Sequence, residues 1–576
     1  MKKAPLSSKA MAVNRFGLVF LGLLLHNLLP AQNNQEKVSI SFQELGVAEA
    51  LLQLDEVTEK RLSFNPQILP DKTLNEHFDQ TTPETILRVI LGEGYDLKSI
   101  GDYLIILKKK ALQKAKTSFR IEGGITDAET GEQLEDVSIY EVSTLRSTIS
   151  DQYGNFKLKA RTIDLAAFAI SKAQYVDTII YVDRLETFDG TIKLKRRRRN
   201  KTLRVFREQA TSLSRSLVNI FTSDKNRLVA TNVGLVDRRL AQLSLVPGLG
   251  TNLKLGSQIT NSFSMNMIAG YAYGVKGVEI GGVYNIDREE VKGFQVAGVG
   301  NTVGGEVKGV QVGGAINTTQ DFVKGIQIAG VINVASDSVR GLQISGVSNK
   351  TKQLRGLQIG GLSNHTRDMT GLTIAGAANT SRNLKGVQIS GFVNTANRVR
   401  GMQLGVINIA DSVDSGIQLG ILNFSRNGLL SPLIYADEVQ PFNAALRTGL
   451  NYFYTILSVG INPDEYWSYG MGFGSKLFLA KGKKVFLNPE LENLNLQDAN
   501  GSEGTYNMRI RFQLKLGYQL FKRLAFSGGP SINYLLTNDL DEAGNPVLDI
   551  ANNPFYTREG STFQQMWIGY SFGISF

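Results

Sequence analysis

The sequence predicts a mainly β chain of several modules. These are a small α+β N-terminal domain, a β-sandwich, tandem 15–16-residue β repeats for which a solenoid is favoured, and a C-terminal transmembrane β-barrel. Three observations carry that fold class. Ten units, beginning at Gly277, Gly293, Gly309, Gly325, Gly341, Gly356, Gly371, Gly386, Gly401 and Gly416, keep one pattern in step, and a fixed period means a repeat architecture. In the last segment Ile568, Tyr570, Phe572, Ile574 and Phe576 alternate with Gly569, Ser571, Gly573 and Ser575, as in a strand with lipid on one side and a lumen on the other. Beyond residue 32 no apolar run approaches the roughly 20 residues of a spanning helix, so a return to a membrane has to use strands.

The chain has 576 residues, 59 Gly and no Cys, which excludes disulfides, thiolate metal sites, a Cys nucleophile and a lipid-modified N-terminal cysteine. The net charge of +11 is local. Lys193 to Arg207 holds nine basic residues and no acidic one, so no nucleic-acid-binding surface is expected over the whole protein. Residues 1–32 read as a secretory signal peptide. Lys2, Lys3, Lys9 and Arg15 precede an apolar run from Phe16 to Leu29, with Leu29-Pro30-Ala31 at the cleavage site. A membrane anchor is the alternative, but that run of about 14 residues is short for one.

Residues 38–109 alternate β and α periods. Val38–Phe42 alternates as a strand, while Val47, Leu51, Leu54 and Thr58 share a helical face. Leu62–Phe64 and Thr73–Phe78 are further strands. Thr82-Pro83-Glu84 is a helix start, with Ile86, Leu87, Ile90 and Leu91 along it and Gly92 or Gly94 at its end. Tyr103–Leu107 is the last strand. The run VSISFQELGVAEALLQL, then LSFNPQIL, then TPETILRVILGEGYDLKSIGDYLIILKK resembles the short N-terminal domain shared by secretins and TonB-dependent receptors. That resemblance implies a periplasmic, non-catalytic module that in some members signals to an inner-membrane partner. His77 reads as an ordinary strand residue.

Residues 119–195 show short strands separated by Asp-Ala-Glu-Thr-Gly and Asp-Gln-Tyr-Gly-Asn turns, which suits a small sandwich. Gly123, Asp127, Thr130-Gly131, Asp151, Gly154 and Phe156 carry a resemblance to the carboxypeptidase regulatory-like domain, which often precedes outer-membrane barrels in Bacteroidetes-type bacteria. Despite its name the module is non-catalytic. Residues 196–222 form a basic linker in which Leu203, Phe206, Ala210, Leu213, Leu217 and Ile220 trace an amphipathic helix. It suits either the inner leaflet of the outer membrane or packing on its neighbours. No long glycine-rich plug follows, which argues against an ordinary TonB-dependent transporter.

The repeats span 262–428. Each unit reads G-[VFILM]-[QET]-[IVL]-[GAS]-G-[VAL]-x-N, then a polar turn and an apolar-cation pair. Counting from the residue after the first Gly, eight units have Gln at the second position. All ten have Asn at the eighth, or seventh in the last two: Asn285, Asn301, Asn317, Asn333, Asn349, Asn364, Asn379, Asn394, Asn408 and Asn423. In a solenoid, the first, third and sixth positions and the Asn are expected to point inward and the apolar residue before the cation to close the coil, giving about four apolar residues and an Asn ladder per coil. In a barrel each unit is a strand of about 28 Å, but the lipid face then runs Lys, Leu, Ile, Gly, small, with few large side chains. Cations before eight of the ten leading glycines count against the solenoid, since they stack about 4.8 Å apart. The pattern resembles a surface-repeat family of Bacteroidetes and Leptospira, which implies an envelope location. A calcium roll is not expected, because Asp is sparse. The amide rows read first as structural ladders and second as a glycan site. His365 reads as an exposed turn residue.

Residues 431–576 are expected to form the outer-membrane barrel. Its strands are Pro432–Glu438, Ala444–Gly449, Phe453–Ile461, Tyr466–Leu479, Lys484–Leu496, Met508–Phe521, Leu524–Leu536 and the last segment. A soluble sandwich is the alternative. Tyr452, Phe453, Tyr454, Tyr466, Trp467, Tyr506, Tyr534 and Trp567 are candidates for interfacial girdles. Asn261–Gly274 is a candidate extra barrel strand. Terminal Phe576 resembles the signal by which barrel-assembly machinery recognises its clients.

The functional expectation is a non-enzymatic outer-membrane protein with periplasmic N-terminal domains. It presents a repeat surface and couples surface binding to periplasmic signalling. No cofactor is expected. The outer membrane, the barrel-assembly machinery, a periplasmic signalling partner and an unidentified surface ligand are the expected partners. The alternative is a pore or uptake protein whose single large barrel includes the repeats.

Overall fold

The computed structural model describes residues 36–100, 103–109, 119–160, 165–183, 188–197, 212–234, 236–463, 465–479, 482, 484–498, 505–521, 523–542 and 544–576. The leader and the 203–210 part of the amphipathic stripe lie outside them. No described helix is long and apolar enough to cross a membrane, which says nothing of strands.

The N-terminal unit places helices Val47–Val57 and Pro83–Leu91 on one apolar core with two small sheets. Val47, Leu51 and Leu54 are buried as the helical spacing requires, whereas Thr58 is the C-cap. Thr82 caps the second helix by accepting from the Thr85 amide at 3.4 Å, and Gly92 ends it at φ 75°. Tyr95–Ile100 is an additional strand, antiparallel to Tyr103–Lys108. His77 is exposed on its strand.

The remainder of the chain begins with a sandwich of a four-stranded and a three-stranded sheet, closed over Ile121, Ile139, Phe156, Phe168 and Ile170. Its first turn is built on Asp127, whose carboxylate accepts from the Glu129 and Thr130 amides (2.8 and 3.1 Å), Tyr175 Oη (2.8 Å) and Arg196 Nε (2.9 Å). The Glu129 amide first, with those other donors, holds this carboxyl at about 2. Helices Ser212–Phe221 and Asp224–Asn232 follow. Phe221 stacks on Tyr284 at 4.8 Å, and Val218 is buried beside it, so this part of the linker packs on the first repeats. Ile220 faces solvent.

From Asp237 to Ser425 the chain forms one sheet system in which successive coils pair parallel, in register apart from single shifts such as that between Ala335 and Ser338. It is a solenoid. Asn261–Gly274 belongs to it and not to the barrel: Ile259–Asn266 pairs parallel with Gly274–Gly281. Two glycine lanes make the close stacking possible. At Gly341 φ is 139°, and a Cβ would overlap the carbonyl oxygen of Gly325 in the coil before. At the corner Gly330, a Cβ would overlap the oxygen of Gly314.

The barrel closes with eight antiparallel strands: Leu429–Asp437, Phe442–Leu450, Phe453–Asn462, Tyr466–Gly474, Val485–Asp498, Asn507–Phe521, Leu524–Thr537 and Phe563–Ser575. The first pairs with the last from Leu433↔Ser575 to Asp437↔Ser571. Ile434, Leu516, Ile532, Tyr570 and Phe572 point outward. The single large barrel of the alternative expectation, with the repeats as strands, is not formed.

Candidate functional site

The repeat interior differs from the expected one. The first, third and sixth positions face out, not in: Ile328 and Val331 are 37% and 46% exposed, while Gln327 and Asn333 are fully buried. The strand period of two forces a choice between odd and even positions, and the amides take the inside because stacking gives each a partner in the next coil. The same parity places the residue two before the leading Gly inside, as expected for the apolar residue that precedes the cation. Val323, Val339, Leu354, Met369 and Leu384 thus form the one large apolar lane of a narrow core.

Two amide ladders run through that core. Asn333 Nδ2 donates to Asn349 Oδ1 (3.0 Å) and to the Ile344 carbonyl (2.7 Å), and accepts from Asn317 (2.9 Å). The same links join Asn285 to Asn423 without a gap and begin one coil earlier, at Asn266. The Gln ladder runs the opposite way, as when Gln343 donates to Gln327 (2.6 Å), so the two rows of amide dipoles oppose each other. Thr373 interrupts it. There Gln358 accepts from Thr366 (2.8 Å), Gln388 donates to Ser381 (3.2 Å), and the larger Met369 fills the space beside Thr373. Buried in the core, these amides are not open to a glycan.

At the first repeat Glu279 takes the Gln position. Gln295 Nε2 donates both to Glu279 (2.8 Å) and to Asp287 (2.6 Å), and both carboxyls are fully buried. Burial, and then the charge of Glu279, push Asp287 well above the ordinary carboxylate range. The other end of the ladder is finished by the barrel: Asn423 Nδ2 donates to Thr455 Oγ1 (3.1 Å), and the Asn423 amide donates to Thr448 Oγ1 (3.1 Å).

The outward face of the repeats is two-sided. One side carries Ile328, Val331, Val347, Leu362 and Phe392, bordered by a lane of cations before eight of the ten leading glycines. Lys276 and Lys292 pair with Glu290 (3.0 and 2.5 Å), Lys308 with Glu306, and Arg400 with Asp414 (3.3 Å). The opposite side is polar and holds Lys350, Lys352 and the exposed His365.

Inside the barrel lies a charge cluster that the sequence reading missed. Arg447, Arg509, Arg511 and Lys515 meet Asp437, Glu438, Glu490 and Glu492, all nearly or fully buried. Arg511 donates to Glu492 (2.9 Å) and Tyr435 Oη (2.9 Å) and also pairs with Asp437. Arg509 donates to Glu438 (2.9 Å), Arg447 pairs with Glu490 (2.7 Å), and Gln513 bridges Glu490 and Glu492. Four cations match four carboxylates, and the lumen is filled. The strict alternation in Glu490-Leu-Glu492 and Arg509-Ile-Arg511-Phe-Gln513-Leu-Lys515 was the available signal. Tyr454, Tyr466 and Trp567, expected at the girdles, point into this interior instead, and Trp567 Nε1 donates to Glu438 (3.1 Å). Trp467, Tyr506 and Tyr452 are exposed. Phe576 is half exposed, and its amide donates to the Pro432 carbonyl (2.8 Å).

Among the described residues no cluster of three or more acidic or His side chains is arranged to hold a metal. No family model matches the chain, and no curated protein matches it.

Proposed function

We propose that this chain is a non-enzymatic outer-membrane protein whose barrel is an anchor and not a pore. The solenoid, sandwich and N-terminal domain then work on the periplasmic side as a scaffold or relay. The observation that carries this reading is the asymmetry of the barrel's two ends. The end joined to the solenoid has the connections 451–452, 475–484 and 522–523, whereas the opposite end has 438–441, 463–465, 499–506 and the long 538–562. Outer-membrane barrels keep short turns in the periplasm and long loops outside. The surface offered to the exterior is then the 538–562 connection, not the repeats. The neutral, filled lumen favours an anchor over conduction, and its ionisable groups neutralise one another with no nucleophile and base left paired for chemistry. The barrel-assembly machinery and a periplasmic signalling partner remain the partners this reading implies.

The test uses the absence of native Cys. Ser338→Cys in a repeat turn and Glu542→Cys in the long connection are labelled on intact cells with a membrane-impermeant maleimide. Glu542→Cys is expected to label on intact cells and Ser338→Cys only after permeabilisation. Labelling of Ser338→Cys on intact cells would instead put the repeats outside and restore surface display.

A further inference from the structure

We infer that the apolar side of the solenoid lies on the phospholipid leaflet beside the barrel, with its cation lane at the level of the phosphates. This rests on the reading of the barrel as a membrane anchor. Three observations lead to it.

The first is the size of the apolar side. Ten coils stacked about 4.8 Å apart, each with about five residues of strand across, give roughly 800 Å². Soluble surfaces rarely carry a contiguous patch above a few hundred Å². Its side chains are large, as at Ile328, Val331, Leu362 and Phe392, while the opposite side of the same coils is polar.

The second is charge. Lys324, Arg340 and Arg355 stand on consecutive coils, and Lys385 stands two coils on, none with a carboxylate partner among the described residues. Their neighbours in the lane have such partners. A row of unpaired cations about 4.8 Å apart is repulsive unless anions lie along it. Phosphates of a leaflet supply those anions at the edge of an apolar surface, the arrangement by which amphipathic elements settle at an interface.

The third is continuity. Leu404, Leu419 and Ile421 of the last coils line one groove with Phe453, Leu457 and Met471 of the barrel's outer wall. The apolar side of the solenoid therefore runs directly into the surface that faces lipid if the barrel spans. A second copy of the chain would cover the apolar strip as well, but it would bring a second cation lane with no anions to oppose it.

The experiment uses the full chain in vesicles of phosphatidylethanolamine with phosphatidylglycerol. A fluorophore is placed at Val331→Cys on the apolar side, Lys352→Cys on the polar side, or Leu516→Cys on the barrel wall. Quenching by lipids with nitroxide-labelled acyl chains is then compared. The Val331 site is expected to be quenched at least about threefold more than the Lys352 site. The triple variant Lys324→Glu, Arg340→Glu, Arg355→Glu should cut that quenching by at least about half. If Leu516 is quenched and Val331 is not, the solenoid inference fails while the anchor reading stands. If neither is quenched, both fail. If Val331 is shielded from aqueous iodide without lipid quenching, and dilution of the protein among vesicles removes the shielding, the side is an interface between copies and the inference is overturned.

Discussion

Thr373 shows how tightly the repeat interior couples one side chain to the next. It stands where a Gln would complete the ladder between Gln358 and Gln388, and its coil carries Met369 in the apolar lane where others carry Val or Leu. Thr373→Gln alone overfills this space and should cost about 1–3 kcal/mol. Met369→Val alone leaves a void and should cost about 1 kcal/mol. Together they rebuild the common coil, so the double variant should fall short of the sum by at least about 1 kcal/mol. Urea unfolding of the full chain in detergent micelles, followed by far-UV circular dichroism, measures this, and simple additivity would refute the pairing. Asp287 makes a second residue-scale case. Its folded pKa is raised, so its contribution to stability is present below the ordinary carboxylate range and is lost as pH rises towards the raised value. Asp287→Asn has no such slope. Relative to the native chain, the variant should gain stability between pH 5 and pH 8 by up to about 1.4 kcal/mol per unit. An unchanged difference across that range would mean that Asp287 does not hold its proton in the fold.

At the scale of elements, the coil is set by its leading Gly. Gly341→Ala would force an L residue to φ 139° and drive its Cβ into the Gly325 carbonyl. The expected loss is at least about 2 kcal/mol, seen as a lower urea midpoint and faster proteolysis in the repeats than in the barrel. This lane was legible in the sequence as a period of 15 or 16 with an invariant Gly and Asn, which allowed either stacked coils or a row of barrel strands and favoured the coils because a barrel would show few large side chains to lipid. The direction in which the coil faces was not. Ile326 and Ile328 look like a core by hydropathy, and Gln327 looks like a surface residue. Only the stacking partner supplied by Gln311 and Gln343 makes the inward choice affordable for an amide. The barrel strands were legible almost to their ends, because lipid-out alternation leaves a strong period-two signal. Aromatic composition misled for Tyr454, Tyr466 and Trp567. Composition suggests a girdle for any aromatic near a strand end, whereas parity with Ser458, Ser468 and Ser571 puts these three inside. The inward carboxylates and guanidinia were equally readable from parity, yet four pairs from distant strands become a cluster only when the barrel closes.

For the whole molecule, the decisive contrast is between two interiors with opposite solutions to buried polarity. The ladders of the solenoid bury neutral amides, each paired with its counterpart in the neighbouring coil, so they can be lengthened coil by coil without a change in net charge. The barrel buries full charges, and these balance only as a closed set drawn from strands one, two, five and six together with Glu438. An unpaired member is therefore costly. Arg511→Met leaves Glu492 and Asp437 without their shared partner and should destabilise the barrel by about 3–5 kcal/mol. The loss should appear as a lower temperature at which the compact band is lost in semi-native electrophoresis. The same argument separates an anchor from a gated pore. If the cluster is a structural plug, the native chain in planar bilayers shows no steady conductance, and Arg511→Met shows none either, because its barrel weakens before it opens. If the cluster is a gate, Arg511→Met keeps its compact band and acquires conductance steps, and the anchor reading would then have to be given up in favour of transport through the eight-stranded barrel.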